Sequence, residues 1–197
     1  MSPLQTNLLN VSLYQLGWFS CVLGAAWGHP LAGAALAGVL VCMHLALAVH
    51  RQAELSLLLV ACLLGVAIDS FQQGIGLFTF RTDPAWPFWL PAWVFVIWAQ
   101  FATLLHYALR WLAGRYHLAV LFGLVGGPLA YWGGIRLGAA SFGDNPSLTL
   151  AVLAVVWALV TPTLLWLSHS LFAAPGLYRL GRNRNDSSQP PADQVTS

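Results

Sequence analysis

The sequence predicts an all-α fold, a polytopic transmembrane helical bundle of six spans with both termini in the cytoplasm. Three observations predict it. Of 197 residues, 58% are hydrophobic and only 7% charged, with a mean hydropathy of +0.71. Soluble domains carry about 25% charged residues, so lipid must solvate much of this surface. Six apolar stretches follow one another, each near the roughly 20 helical residues that cross a hydrocarbon core of about 30 Å. The arginines, finally, fall unevenly among the loops between those stretches. Because the runs are continuous rather than alternating, a β-barrel is disfavoured.

The spans lie near 8–28, 31–49, 54–78, 87–111, 118–138 and 147–172, within one transmembrane domain over 1–175. Met1 to Asn10 holds no Lys or Arg, and the first apolar run exceeds a typical signal-peptide core, so it is expected to stay as an uncleaved span. Gly28-His29-Pro30 is a tight turn, with Pro30 placed to open the second helix. His50-Arg51-Gln52 and Arg81-Thr82-Asp83-Pro84 separate the next spans, followed by Ala113-Gly114-Arg115 and Gly143-Asp144-Asn145-Pro146. On the fifth span Gly123, Gly127, Tyr131, Gly134 and Gly138 share one face in small-xxx-small style, which suits a close helix crossing. Pro128 and Pro162 each remove a backbone hydrogen bond and are expected to bend the fifth and sixth helices. From Gly181 the composition turns polar, and 176–197 reads as a disordered cytoplasmic tail.

With six spans, Arg51, Arg110, Arg115, Arg179, Arg182 and Arg184 share one side, and Arg81 and Arg136 the other. Six against two places both termini in the cytoplasm of a bacterial-type inner membrane. Trp86, Trp89 and Trp93 are then expected as an aromatic girdle at the outer face. The net charge of +2 and the lack of a basic patch outside the tail argue against nucleic acid as a partner. Cys21, Cys42 and Cys62 lie in apolar stretches without CxxC spacing and read as small hydrophobes.

Three stretches carry a family resemblance. They are Gln15-Leu16-Gly17-Trp18-Phe19 with Cys21 to Ala26, then His106-Tyr107-Ala108-Leu109-Arg110-Trp111-Leu112, then Gly126-Gly127-Pro128-Leu129-Ala130-Tyr131 with Gly134, Arg136, Leu137 and Gly138. Together they resemble a bacterial inner-membrane family catalogued as domain of unknown function 2878, over about 8–172. The resemblance implies a membrane-lipid and photo-oxidative-stress context, and it carries no catalytic residue across.

Ionisable groups at membrane depth are costly, so each is a candidate for function. The outer group centres on Asp69. Cys62, Gly65, Asp69, Gln72, Gln73 and Gly76 fall within one arc of the third helix, a polar and small stripe that faces protein or water. Arg136 lies at a comparable outward depth. An Asp69–Arg136 pair would be an assembly clamp, whereas an unclamped Asp69 could move protons or hold a cation. The inner group gathers His44, His106 and His169, with Gln100, Thr103, His106, Tyr107 and Arg110 on one arc of the fourth helix and Glu54 opening the third. Three imidazoles at one depth could bind a metal, but no HxxxH or HExxH spacing supports that reading, and no cofactor is specified. Hydrogen-bonded interfacial histidines are one reading. The other has His106 and Arg110 holding an anionic headgroup. The catalytic candidates are therefore His106, Arg110 and Asp69, with His44, Gln100, Tyr107, His169, Gln72, Gln73 and Arg136 as pocket candidates.

No P-loop, GxGxxG or GxSxG nucleophile elbow is present. The function classes left open are an enzyme or accessory factor in membrane-lipid modification or envelope stress, a small transporter, and a non-catalytic scaffold. The transporter is disfavoured by the missing internal repeat. Membrane lipid is the expected partner, with other membrane proteins or a further copy of the chain beside it. The arginine bias makes the topology testable: reporters fused after Val49, Trp111 and Phe172 should be cytoplasmic and those after Gly28, Phe78 and Gly138 periplasmic. A periplasmic reporter at Phe172 would overturn both span count and orientation.

Overall fold

The computed structural model describes residues 2–173, so the polar tail with Arg179, Arg182 and Arg184 lies outside the described residues. The chain forms six α-helices: α1 (Pro3–Ala26), α2 (Pro30–Leu47), α3 (Arg51–Gly74), α4 (Ala92–Leu105), α5 (Tyr116–Leu137) and α6 (Pro146–Ala173). Five are long and apolar enough to cross a membrane. Their outward faces carry large apolar side chains in the open, such as Leu63 at 72% exposure and Leu159 at 65%. In water such a surface would drive aggregation, and in lipid it is the expected exterior. This is an all-α integral membrane protein.

Local signals set the helix ends. Ser2 caps α1 in a reciprocal box with Gln5: Gln5 N donates to Ser2 Oγ at 3.3 Å and Ser2 N to Gln5 Oε1 at 2.8 Å. The α1–α2 turn passes through Gly28 at φ 81°, a left-handed conformation that favours glycine, and Pro30 opens α2 as the sequence implied. Leu148 N donates to Asn145 Oδ1 at 3.0 Å, capping α6 ahead of Pro146. Two arginines that entered the sequence argument only as charges bind helix C-termini: Arg51 Nη2 donates to Ala46 O at 2.8 Å, and Arg81 Nη1 to Ala26 O at 2.9 Å. Pro128 and Pro162 both lie inside unbroken helices.

The fourth element departs most from expectation. A span was predicted at 87–111, yet α4 has 14 residues, about 21 Å at 1.5 Å per residue. Burial explains the difference. α4 packs against α1, α2, α3 and α6, and Trp93, Val94, Trp98 and the whole run from Gln100 to Leu105 are buried. A helix sheathed in protein need not match the thickness of the lipid, because its irregular ends meet side chains rather than hydrocarbon. The chain continues through a 3₁₀ turn, Arg110–Leu112, into α5.

At the opposite end a two-stranded antiparallel pair joins distant parts of the chain. β1 (Phe78–Phe80) pairs with β2 (Ala140–Phe142) in the register Phe78↔Phe142, Thr79↔Ser141, Phe80↔Ala140. Gly143 lets the strands close, because a Cβ there would collide with Gly76 O. Nothing in the periodicity announced this pair. The aromatic girdle needs correction as well: Trp89 is exposed, but Trp93 is buried and donates through Nε1 to Arg81 O at 3.0 Å.

The glycine face of α5 divides in two. A Cβ on Gly123 would meet Trp157 O, and one on Gly127 would enter the Trp157 indole, so both are packing positions against α6. Gly134 is buried too, yet a Cβ there would meet nothing within 4 Å. Gly127→Ala should therefore destabilise the protein by about 1–3 kcal/mol through overpacking. Gly134→Ala should be neutral or gain up to about 1 kcal/mol from helix propensity. Thermal denaturation in detergent measures both, and equal losses at the two positions would contradict the division.

Candidate functional site

Two regions gather the polar groups, one at each end of the bundle. Near the β1–β2 end lies a cavity of about 70 Å³ among α1, α4, α5 and α6. Its walls include Trp18, Phe80, Trp93, Trp98, Tyr131 and Trp157, and Asp69 of α3 reaches into it. Asp69 is 1% exposed. Trp98 Nε1 donates to its Oδ2 at 2.8 Å, and the Tyr131 hydroxyl donates to its Oδ1 at 2.5 Å. The Trp98 and Trp157 rings stack with centroids 5.0 Å apart and planes 8° from parallel.

The sequence offered Arg136 as the partner of Asp69, and the structure corrects this. Among the described residues the one ion pair is His44–Glu54. Arg136 is exposed, with Cζ 5.8 Å from the Trp132 ring centroid. Apolar helices gave no way to foresee indole and phenol donors arriving from α4 and α5. The glutamines also part company. Gln73 is a clamp: Nε2 donates to Trp89 O and Oε1 accepts from Phe80 N, both at 3.1 Å. Gln72 is buried, and neither of its amide atoms has a hydrogen-bond partner among the described residues.

At the other end α4 stops early, and His106, Tyr107 and Arg110 follow it outside the helix rather than lining its side. The expected arc from Gln100 to Arg110 is thus broken at Leu105. Gln100 points elsewhere, donating from Nε2 to Ala37 O at 2.9 Å, in space that Gly17 leaves by lacking a Cβ. Thr103 Oγ1 returns to Gln100 O. Asn10 was missed by the sequence reading, and it stabilises the α4 end: Nδ2 donates to Thr103 O at 3.0 Å, and Oδ1 accepts from Ala108 N at 3.3 Å.

The released segment forms one wall of a recess of about 350 Å³ that brings together His50, His106, Arg110, Ser168, His169 and Phe172. His106 stacks on Phe172 at 3.6 Å between centroids with planes 9° apart, and meets Tyr107 edge-on at 5.6 Å. A second recess beside Thr6, Asn7 and Trp111 shares His50, His106 and Arg110 with it. His44 belongs to a separate buried group. Its Nε2 lies 3.4 Å from Glu54 Oε2, with the Tyr107 ring edge-on at 5.1 Å. Glu54 is fully buried, and its Oε1 has no hydrogen-bond partner among the described residues. So the structure unites His106, Arg110 and His169 as expected, adds His50, and sets His44 one layer deeper. Among the described residues no three His, Cys, Asp or Glu side chains converge to hold a metal ion.

The family model described as "Protein of unknown function (DUF2878)" matches residues 7–163. The chain belongs to this family. The matched segment holds Asp69, His106 and Arg110 and stops short of His169 and Phe172. No curated protein and no solved structure matches the chain. Within this DUF2878 member, the role of Asp69 is read from its own contacts. Arg136→Gln should leave thermal stability within about 0.5 kcal/mol, as for a surface change. Trp98→Phe should cost about 1–3 kcal/mol by stripping a buried carboxylate of a donor. Denaturation in detergent tells them apart, and a larger loss from Arg136→Gln would restore the ion-pair reading.

Proposed function

We propose that this protein sits in a bacterial inner membrane, termini inward, and holds the anionic headgroup of a membrane lipid in the recess at the end of α4. It serves lipid modification there, as the enzyme or as the accessory that presents the lipid. The observation that carries the reading is the convergence of Arg110, His50, His106 and His169 on one recess from the α2–α3 turn, the α4 end and α6. Arg110 is exposed, and its planar fork suits bidentate contact with a phosphate. The imidazoles beside it offer ring N–H donors to the same headgroup. Leu105, Leu165 and Phe172 supply apolar walls for the glycerol and upper acyl region. A volume near 350 Å³ falls within the roughly 300–1,000 Å³ of small-molecule sites. Among the described arginines, Arg51, Arg110 and Arg115 lie toward this end and Arg81 and Arg136 toward the other, which favours the cytoplasmic leaflet.

Arg110→Lys should lower retention of phosphatidylglycerol by about tenfold in native mass spectrometry of the detergent-purified protein, since charged hydrogen bonds contribute about 1.5–3 kcal/mol. His106→Ala should accumulate at wild-type abundance and fail to restore the lipid composition of a deletion strain. Wild-type lipids in that complemented strain would sink the proposal.

A further inference from the structure

We propose that the cavity beside Asp69 is a binding site for a small organic ammonium ion. It rests on residues separate from the α4-end recess and stands or falls independently of it. Asp69 is the one charged side chain lining the cavity among the described residues. Each carboxylate oxygen has a donor, Trp98 Nε1 on one and the Tyr131 hydroxyl on the other, contacts that an ionised acid can accept. A charge this deep is costly without a counter-charge. The described residues place no Arg or His in an ion pair with it.

The remaining walls say what kind of cation fits. They are aromatic and aliphatic, so a hydrated metal ion would find few oxygens to replace its water. An ammonium clothed in methyl groups carries its charge on an apolar surface and is attracted to indole and phenol faces. The cavity of about 70 Å³ exceeds the roughly 10–15 Å³ that one water needs, and it is open on one side rather than sealed. Gly134 extends the opening, being buried beside it with empty space where a side chain would stand. The β1–β2 pair closes one end through Phe80 and Ala140, which shields the site from bulk water on that side.

Equilibrium dialysis of the full-length protein in detergent micelles with radiolabelled choline tests the site, using protein-free micelles as the blank. Binding should saturate and be displaced by tetramethylammonium. It should not be displaced by the neutral isostere of choline in which carbon replaces the quaternary nitrogen. Asp69→Asn should weaken binding by about tenfold or more, through loss of the counter-charge. Should that variant misfold, Gly134→Leu decides alone, because it fills the cavity without touching the bonds of Asp69 and should abolish binding while the protein stays folded. Three results would each overturn the proposal: no saturable binding to the wild type, equal displacement by the neutral isostere, or wild-type affinity in folded Gly134→Leu.

Discussion

The indole of Trp98 is the contact on which the rest of the bundle depends. On one side it occupies the space that Gly65 leaves on α3, where any Cβ would strike the ring. Its N–H holds Asp69, one turn along the same helix. Its face lies on Trp157 of α6, and Trp157 in turn presses into Gly127 and against Gly123 of α5. Four helices are thereby locked through two stacked rings and three missing side chains. In lipid, where burying apolar surface gives helices no preference for one another, close packing and internal hydrogen bonds must supply that preference. Trp98 provides both.

A central α4 also explains why the molecule is irregular at both ends. A helix of 14 residues leaves backbone on either side that must be satisfied at or near membrane depth. Below it, Asn10 binds both Thr103 O and Ala108 N. Above it, Gln73 ties down Trp89 O and Phe80 N, Trp86 Nε1 donates to Leu90 O, and β1 pairs with β2. The recess and the cavity lie toward these two ends. The recess is walled by the segment released where α4 stops, whereas the cavity lies alongside α4 between Trp93 and Phe101.

Much of the frame was legible in the sequence. Five of the six expected spans are long apolar helices, Pro30 opens a helix, and the small-residue face of α5 makes a close crossing at Gly123 and Gly127. These follow from composition and spacing, which act locally, whereas the identity of α6 as the partner does not. The inward stripe on α3 was legible for the same reason, since Gly65, Asp69 and Gln72 are buried on one face. What escaped depends on third parties. The length of α4 is set by neighbours that shield it, not by its own hydropathy. The donors to Asp69 come from two other helices with no fixed spacing to it, so charge complementarity pointed to Arg136 instead. The strand pair joins segments about sixty residues apart through three residues each, too few to show alternation.

The polar inventory sorts itself once every hydrogen bond has been followed. Asn10, Gln73, Gln100, Arg51 and Arg81 each bind backbone groups elsewhere in the chain, and their partners account for them. A membrane protein keeps such residues because an unsatisfied carbonyl in hydrocarbon is costly. The same reasoning leaves a short remainder that architecture does not consume. Among the described residues it comprises Gln72 with neither amide atom hydrogen-bonded, Glu54 Oε1 without a hydrogen-bond partner, and the Arg110 recess with its imidazoles. Glu54 and His44 form a buried pair beside Tyr107, whose ring also meets His106. Charge held at such depth persists only where something offsets its desolvation.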